Sequence, residues 1–225
     1  MSGQVLAVGR YELALLGRSR RWLPPVVLLA FVLVTATAGG PPAGDALAFG
    51  GAALVPVCAW LTRAVLVGDP PQARACLMAA VGPVRTQAGC LLAAVVAAGL
   101  LSAVTASTLT LQSARAGDGP VRLLATAGSG LVTQLACALV GVALGAVSNP
   151  PVLRRFDVAV LAMGVGVTLA LVTGSSPARA AIRDLSRTPR AAVPPLAWTP
   201  LAVAAVLLLL AAAVSSRTAV RRGVH

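Results

Sequence analysis

Chemistry near neutral pH needs nucleophiles, bases or metal ligands, and this sequence holds few of them. Its one histidine is the last residue, His225, and its four cysteines, Cys58, Cys76, Cys90 and Cys137, lie in apolar or amphipathic stretches without Cys-x-x-Cys spacing. A histidine-based metal site and a Ser/His/Asp triad therefore lack raw material, and the cysteines read as small packing residues. The six acids, Glu12, Asp45, Asp69, Asp118, Asp157 and Asp184, are scattered one to a region, which argues against a membrane-embedded lipid-modifying enzyme. All 18 basic residues are arginine, and a Walker A loop needs a lysine. The chain is read as no enzyme: no catalytic, cofactor-binding or metal-binding residue is assigned, and any ATP that drives it is hydrolysed by another subunit.

The polar groups that remain interrupt apolar segments. Thr105 and Thr108 belong to a hydroxyl-rich outer third of one segment, and Gln134 places an amide near the middle of another. They are open to two readings: a substrate pathway, or hydroxyls bonded back to their own helix and an amide bonded between helices. The second is the default. Arg179, Arg183 and Arg187 recur at i, i+4, i+8 and form a basic stripe that suits lipid phosphates or an anionic substrate.

One further stretch, VGDPPQARACLMAAVGPVR (67–85), breaks the apolar pattern. Asp69 is placed to cap a helix, Pro70 suits its first position and Gln72 stands where a capping-box side chain would be. Ala73, Cys76, Leu77 and Ala80 have the spacing of one buried face, and Gly82-Pro83 stops it. A dozen residues rise only about 18 Å against a hydrocarbon core of about 30 Å, so this helix lies on the membrane or docks on a partner.

Composition sets what must position these groups. Of 225 residues 58% are hydrophobic and 11% charged, with a mean hydropathy of +0.89. Too little polar surface is present to cover a soluble globule, and the expected class is an all-α, multi-spanning membrane protein. The net charge of +12 does not imply nucleic acid, since only 3% of residues are aromatic; it reports topology and contact with membrane lipid.

The expected order is an interfacial helix over 1–21, spans at 22–38 and 46–67, the short helix at 69–82, spans at 86–110, 123–147 and 158–173, surface helices within 176–195, and a last span at 196–214. On the first helix Val5, Leu6, Gly9, Leu13 and Leu16 share one side. Gly117-Asp118-Gly119-Pro120 marks a turn, and Gly141 with Gly145 offers a small-residue face for close packing. Ser19-Arg20-Arg21 before an apolar run also fits a twin-arginine signal, but the rest of the chain is more membrane segments rather than a soluble domain to be exported. Twelve arginines then fall inside and six outside, which puts both termini in the cytoplasm of a cell-membrane protein.

This layout resembles the membrane subunit of a type-2 ABC exporter, the ABC-2 permease family, over nearly the whole chain. RYELALLGRSRRW (10–22) is similar to that family's elbow helix, the 67–85 stretch to its cytoplasmic coupling helix, and SPARAAIRDLSRTPRAAVPP (176–195) to the short extracellular helices before the last span. The resemblance implies a permease that pairs with a second copy or a related subunit and rests on a nucleotide-binding ATPase subunit, which binds ATP and magnesium. It also implies ATPase-coupling roles for Cys76 and Leu77 as apolar knobs and for Asp69, Arg74 and Arg85 as polar contacts. A non-transporting assembly or signalling subunit shares the same sequence features.

Overall fold

A computed structural model of the chain describes residues 2–37, 41–115, 120–150, 152–153, 155–187 and 196–222. The expected turn at Gly117-Asp118-Gly119, Arg154, His225 and the segment 188–195, with Pro189, Arg190 and Pro194-Pro195, lie outside them. Of the described residues 89% are helical, and none is in a strand. The helices are α1 (Ser2–Arg18), α2 (Leu23–Thr37), α3 (Ala43–Leu66), α4 (Pro71–Val81), α5 (Pro83–Arg115), α6 (Pro120–Val147), α7 (Phe156–Val172), α8 (Pro177–Ser186) and α9 (Trp198–Arg222). A single tight turn, Arg20–Trp22, joins α1 to α2.

Among the described residues four stretches are long and apolar enough to cross a membrane: Ala43–Leu66, Pro83–Gln112, Leu124–Val147 and Trp198–Arg221. A fifth arises if α7 and α8, which meet at a 40° bend, form one broken span. The described part of the expected first span is the 15-residue α2, about 22 Å long and short of the hydrocarbon core.

The core is built on α3 and α6, which lie side by side along most of their length. About two thirds of the apolar window of each is buried, 61% and 67%, against 22% for α9, so α3 and α6 form the interior and α9 the rim. The close approach has a sequence cause. A Cβ on Gly141 would lie 2.5 Å from the Val55 carbonyl oxygen and 2.9 Å from Cys58 Cβ; one on Gly145 would lie 2.7 Å from both the Ala59 carbonyl oxygen and Thr62 Cβ. Only hydrogen fits at these two crossings, and the backbones meet there as in other small-residue membrane interfaces. Around this pair α5 packs on both helices, α9 on α5 and α6, α2 on α3, and α1 on α5.

Two helices run well past their hydropathy boundaries. α5 begins at Pro83 and runs to Arg115, and α9 continues to Arg222, beyond the expected 86–110 and 196–214. Apolarity stops at the membrane edge, whereas backbone hydrogen bonding continues while the residues tolerate a helix; past Val214, Ser215 and Thr218 bond back to their own turn at 3.0 and 2.8 Å. Gly82, at φ +89°, makes the break that lets α5 restart at Pro83.

α8 starts after Ser176 with Pro177 in its first turn, and Ala178, Ala181 and Leu185, which share one side at i, i+3, i+7, are buried where the helix packs on α3 and α6. On α1 the inward face is Val8, Gly9, Glu12 and Leu16; Leu6, assigned to that face from the helical wheel, is 55% exposed, and Glu12 replaces it. A wheel ranks residues by apolarity, but here a buried polar partner decides which side turns in.

Candidate functional site at the α1, α4 and α5 corner

The N-terminal half of α5 brings Thr86, Gln87 and Cys90 against α1, and the loop 67–70 folds beside them before α4 begins. Arg21 ties this corner down, donating from Nη1 to the carbonyls of Val67 at 2.8 Å and Gly68 at 3.4 Å. Asp69 does not cap α4. Pro70 occupies the cap position, with no side-chain cap hydrogen bond, Pro71 is the first helical residue, and Gln72 is exposed. The Asp69 carboxylate instead turns inward, where both its oxygens are buried without a hydrogen-bond partner. Local spacing favours capping, but the packing of the 67–70 loop against α1 sets the carboxylate beside Glu12 instead.

Glu12 faces Asp69 from α1 and is 1% exposed. The Cys90 thiol donates to Glu12 Oε1 at 3.3 Å. Arg74, from the first turns of α4, donates to the carbonyl of Leu66 and, from Nη2, to Gln87 Oε1 at 3.2 Å; Gln87 Nε2 is buried and unpartnered. Burial first, then the neighbouring Asp69 carboxylate, push the Glu12 carboxyl from its ordinary 4.5 up to about 7, while Cys90 and Arg74 pull it down. The same Asp69 charge raises the Tyr11 phenol.

Of the residues expected on this stretch, Asp69 and Arg74 both lie close enough to Glu12 for their charges to act on it, without pairing with each other. Arg85 stands apart at the surface and has no role in the cluster: its Nη1 donates to Gln4 Oε1 at 3.0 Å, tying α5 to α1. Leu77 is half-buried on the flank of α4 that leans on α5, together with Ala73, Arg74 and Met78. Cys76 and Ala80, expected to be buried, are exposed on the outer face beside Ala75 and Ala79. The face is rotated because Arg74 must reach Leu66 and Gln87. Glu12 and Gln87 carry no site role in the sequence expectations, and Cys90 is read there as a packing residue; a lone acid at i+4 from Val8 and i−4 from Leu16 on an amphipathic helix is the signal that marks Glu12.

The other polar groups separate in the same way. Thr105 and Gln134 are buried together: a Cβ on Gly50 would sit 3.2 Å from Gln134 Nε2 and 3.4 Å from Thr105 Cγ2. Thr105 bonds back to the Leu101 carbonyl at 2.8 Å, but both polar atoms of the Gln134 amide lack a partner. Thr108 is exposed and bonds back to Val104 at 3.0 Å. An unpaired amide between three helices is destabilising, so Gln134→Leu is expected to raise stability by about 1 kcal/mol or more. Denaturant titration in detergent micelles checks this.

On α8 the arginine stripe is divided. Arg179 donates to the Leu171 carbonyl at 2.8 Å and ties α8 to the end of α7, Arg183 is half-buried, and Arg187 is exposed at the helix end. At the opposite end of the bundle Arg63 of α3 donates to Asn149 Oδ1 and stacks 4.7 Å from the centroid of the Phe156 ring, joining α3 to the α6–α7 connection. A cavity of about 340 Å³ between α2, α3 and α7 is walled by apolar side chains, Leu28, Pro56, Trp60 and Met163 among them. Among the described residues no three His, Cys, Asp or Glu side chains come together in a way that could hold a metal ion. No protein-family model, no curated protein and no solved structure matches this chain.

Proposed function

We propose that the chain is the membrane-spanning permease subunit of an ATP-binding cassette exporter, with six spans, both termini in the cytoplasm, and α4 resting on a separate nucleotide-binding subunit. α2 and α7 supply the two spans beyond the four long helices.

The observation that carries this reading is the way α4 is mounted. Its 11 residues, about 16 Å long, are too few to span and lie between two long apolar helices. One flank is held: Arg74 grips the carbonyl of Leu66, the last residue of α3, and a glutamine of α5, so a push on α4 reaches both helices. The other flank, with Gln72, Cys76, Ala79 and Ala80, faces away from the bundle. Arg10, Arg18, Arg20, Arg21 and Arg63 lie near the same end, as the cytoplasmic side of a membrane protein requires. A second copy and the surrounding lipid would cover the apolar outer faces of α2, α7 and α9.

A Cys76→Asp chain tests this, because it adds charge to the outer face and leaves the α5 contact intact. Co-purification with the cognate ATPase is expected to weaken tenfold or more, as an unpaired charge in an interface costs at least about 1.4 kcal/mol. Unchanged co-purification together with unchanged transport-coupled ATP hydrolysis would overturn the assignment.

A further inference from the structure

Counting charges at the α1, α4 and α5 corner shows what is missing there. With both carboxyls ionised, Glu12 and Asp69 place two negative charges beside the single guanidinium of Arg74, which directs its hydrogens to the Leu66 carbonyl and Gln87 Oε1. Both Asp69 oxygens remain without a donor, and Gln87 Nε2, on a side chain only 2% exposed, remains without an acceptor. Buried, unpaired charge of this kind is strongly disfavoured. One proton repairs both faults of the carboxyl pair: it brings the net charge of the cluster to zero, and on Glu12 it becomes the hydrogen-bond donor that Asp69 lacks.

We propose that Glu12 and Asp69 form a one-proton binding site that latches α1 onto the α3–α4 corner, closed when the pair holds a proton and released when it loses it. The groups facing the pair are Tyr11 of α1, Arg74 of α4, and Gln87 and Cys90 of α5, with Arg21 fixing the carbonyls of the same loop. None of the neutral ones supplies a second negative charge below alkaline pH: Tyr11 is held protonated by Asp69, and Cys90 donates its thiol hydrogen to Glu12. Losing the proton to bulk water leaves two carboxylates opposed across the contact, and their repulsion acts on the loop that carries α4. Linkage sets the direction. A carboxyl whose folded value is raised from 4.5 to about 7 makes the folded latch bind more protons than the released one between these limits. The latch is therefore at full strength below the lower value and is lost as pH rises through the upper one. This holds whether α4 meets an ATPase or lipid.

Infrared spectroscopy of the full chain in lipid nanodiscs, titrated from about pH 5 to about pH 9, reads the proton itself. The native chain is expected to show one protonated-carboxyl C=O band that disappears around neutrality, and Glu12→Gln is expected to abolish it. An environment-sensitive fluorophore on Cys76, the one exposed cysteine, should report a step over the same range that is flat in Glu12→Gln. Should Glu12→Gln not fold, Asp69→Asn serves: without the facing charge the band is expected to disappear at lower pH. A native chain without a titrating band near neutrality, a band that persists in Glu12→Gln or is unmoved in Asp69→Asn, or a titrating band with no step at Cys76 would each overturn the proposal.

Discussion

Gly141→Leu is expected to destroy the native bundle. The first atom it adds would stand 2.5 Å from the Val55 carbonyl oxygen and 2.9 Å from Cys58 Cβ, and neither is the free end of a side chain that can swing away. Relief requires α6 to move off α3, and those two helices bury more of their surface than any other spanning pair. Separating them would also open the contacts of Val55, Cys58 and Thr62, all fully buried. Overpacking in a membrane or soluble core costs about 1–3 kcal/mol when side chains can adjust; here backbone must, and about 3 kcal/mol or more is expected. The control is on the same helix. Gly128 has no atom within 4 Å of where its Cβ would be, so Gly128→Leu should stay within about 0.5 kcal/mol of the native chain. Denaturant titration in mixed micelles compares the two, and equal losses would refute the packing argument.

Gly89→Leu is expected to release α1 while sparing the bundle. Its Cβ would fall 2.5 Å from Val8 Cγ1 and 2.6 Å from Val8 Cβ, where α1 crosses α5. Since α1 lies almost entirely on α5, the strain is relieved by moving α1 alone. The same displacement has two consequences. Cys90, wholly buried beneath α1, becomes open to thiol reagents, so maleimide labelling rises from one cysteine, Cys76, to two. Glu12 re-enters water and its carboxyl falls back toward 4.5. Intact-mass counting of labels checks the first. A single label on a normally folded Gly89→Leu chain would show that α1 is not held by this crossing.

The parts of this architecture that are legible in the sequence are those set by short-range rules. Ser176-Pro177 opens α8, its Ala178, Ala181 and Leu185 face turns inward, and Gly141 with Gly145 marks the helix crossing. All three depend on spacing within one helix. Asp69 shows where such rules stop. Asp-Pro-Pro-Gln has the chemistry of a helix cap, yet the carboxylate is drawn to a glutamate 57 positions earlier, and nothing local records that pairing. Cys76 and Ala80 differ from expectation for a related reason. Their apolarity suggests that they turn inward, but Arg74 has to reach Leu66 and Gln87, and that one polar requirement sets the rotation of an 11-residue helix. Glu12 reads in the sequence as a single acid among arginines, although its position between Val8 and Leu16 puts it on the buried face.

The observed rotation of α4 alters how the proposed coupling would work. Leu77 lies half-buried on the inner flank of α4, and Cys76 becomes the residue at the outer surface. Arg74 connects α4 to the last turn of α3, so motion at α4 would be passed to the two helices that frame Thr105 and Gln134. Under the proposed function α4 would have an outer docking face and an inner lever, on different residues.

The most direct measurement attaches a photo-crosslinker to the native Cys76 of the membrane-embedded chain and identifies what it captures by mass spectrometry. The account predicts an adduct with a protein that carries a Walker A loop, lost when that protein is absent. Adducts with lipid alone, in cells that contain the ATPase, would contradict it.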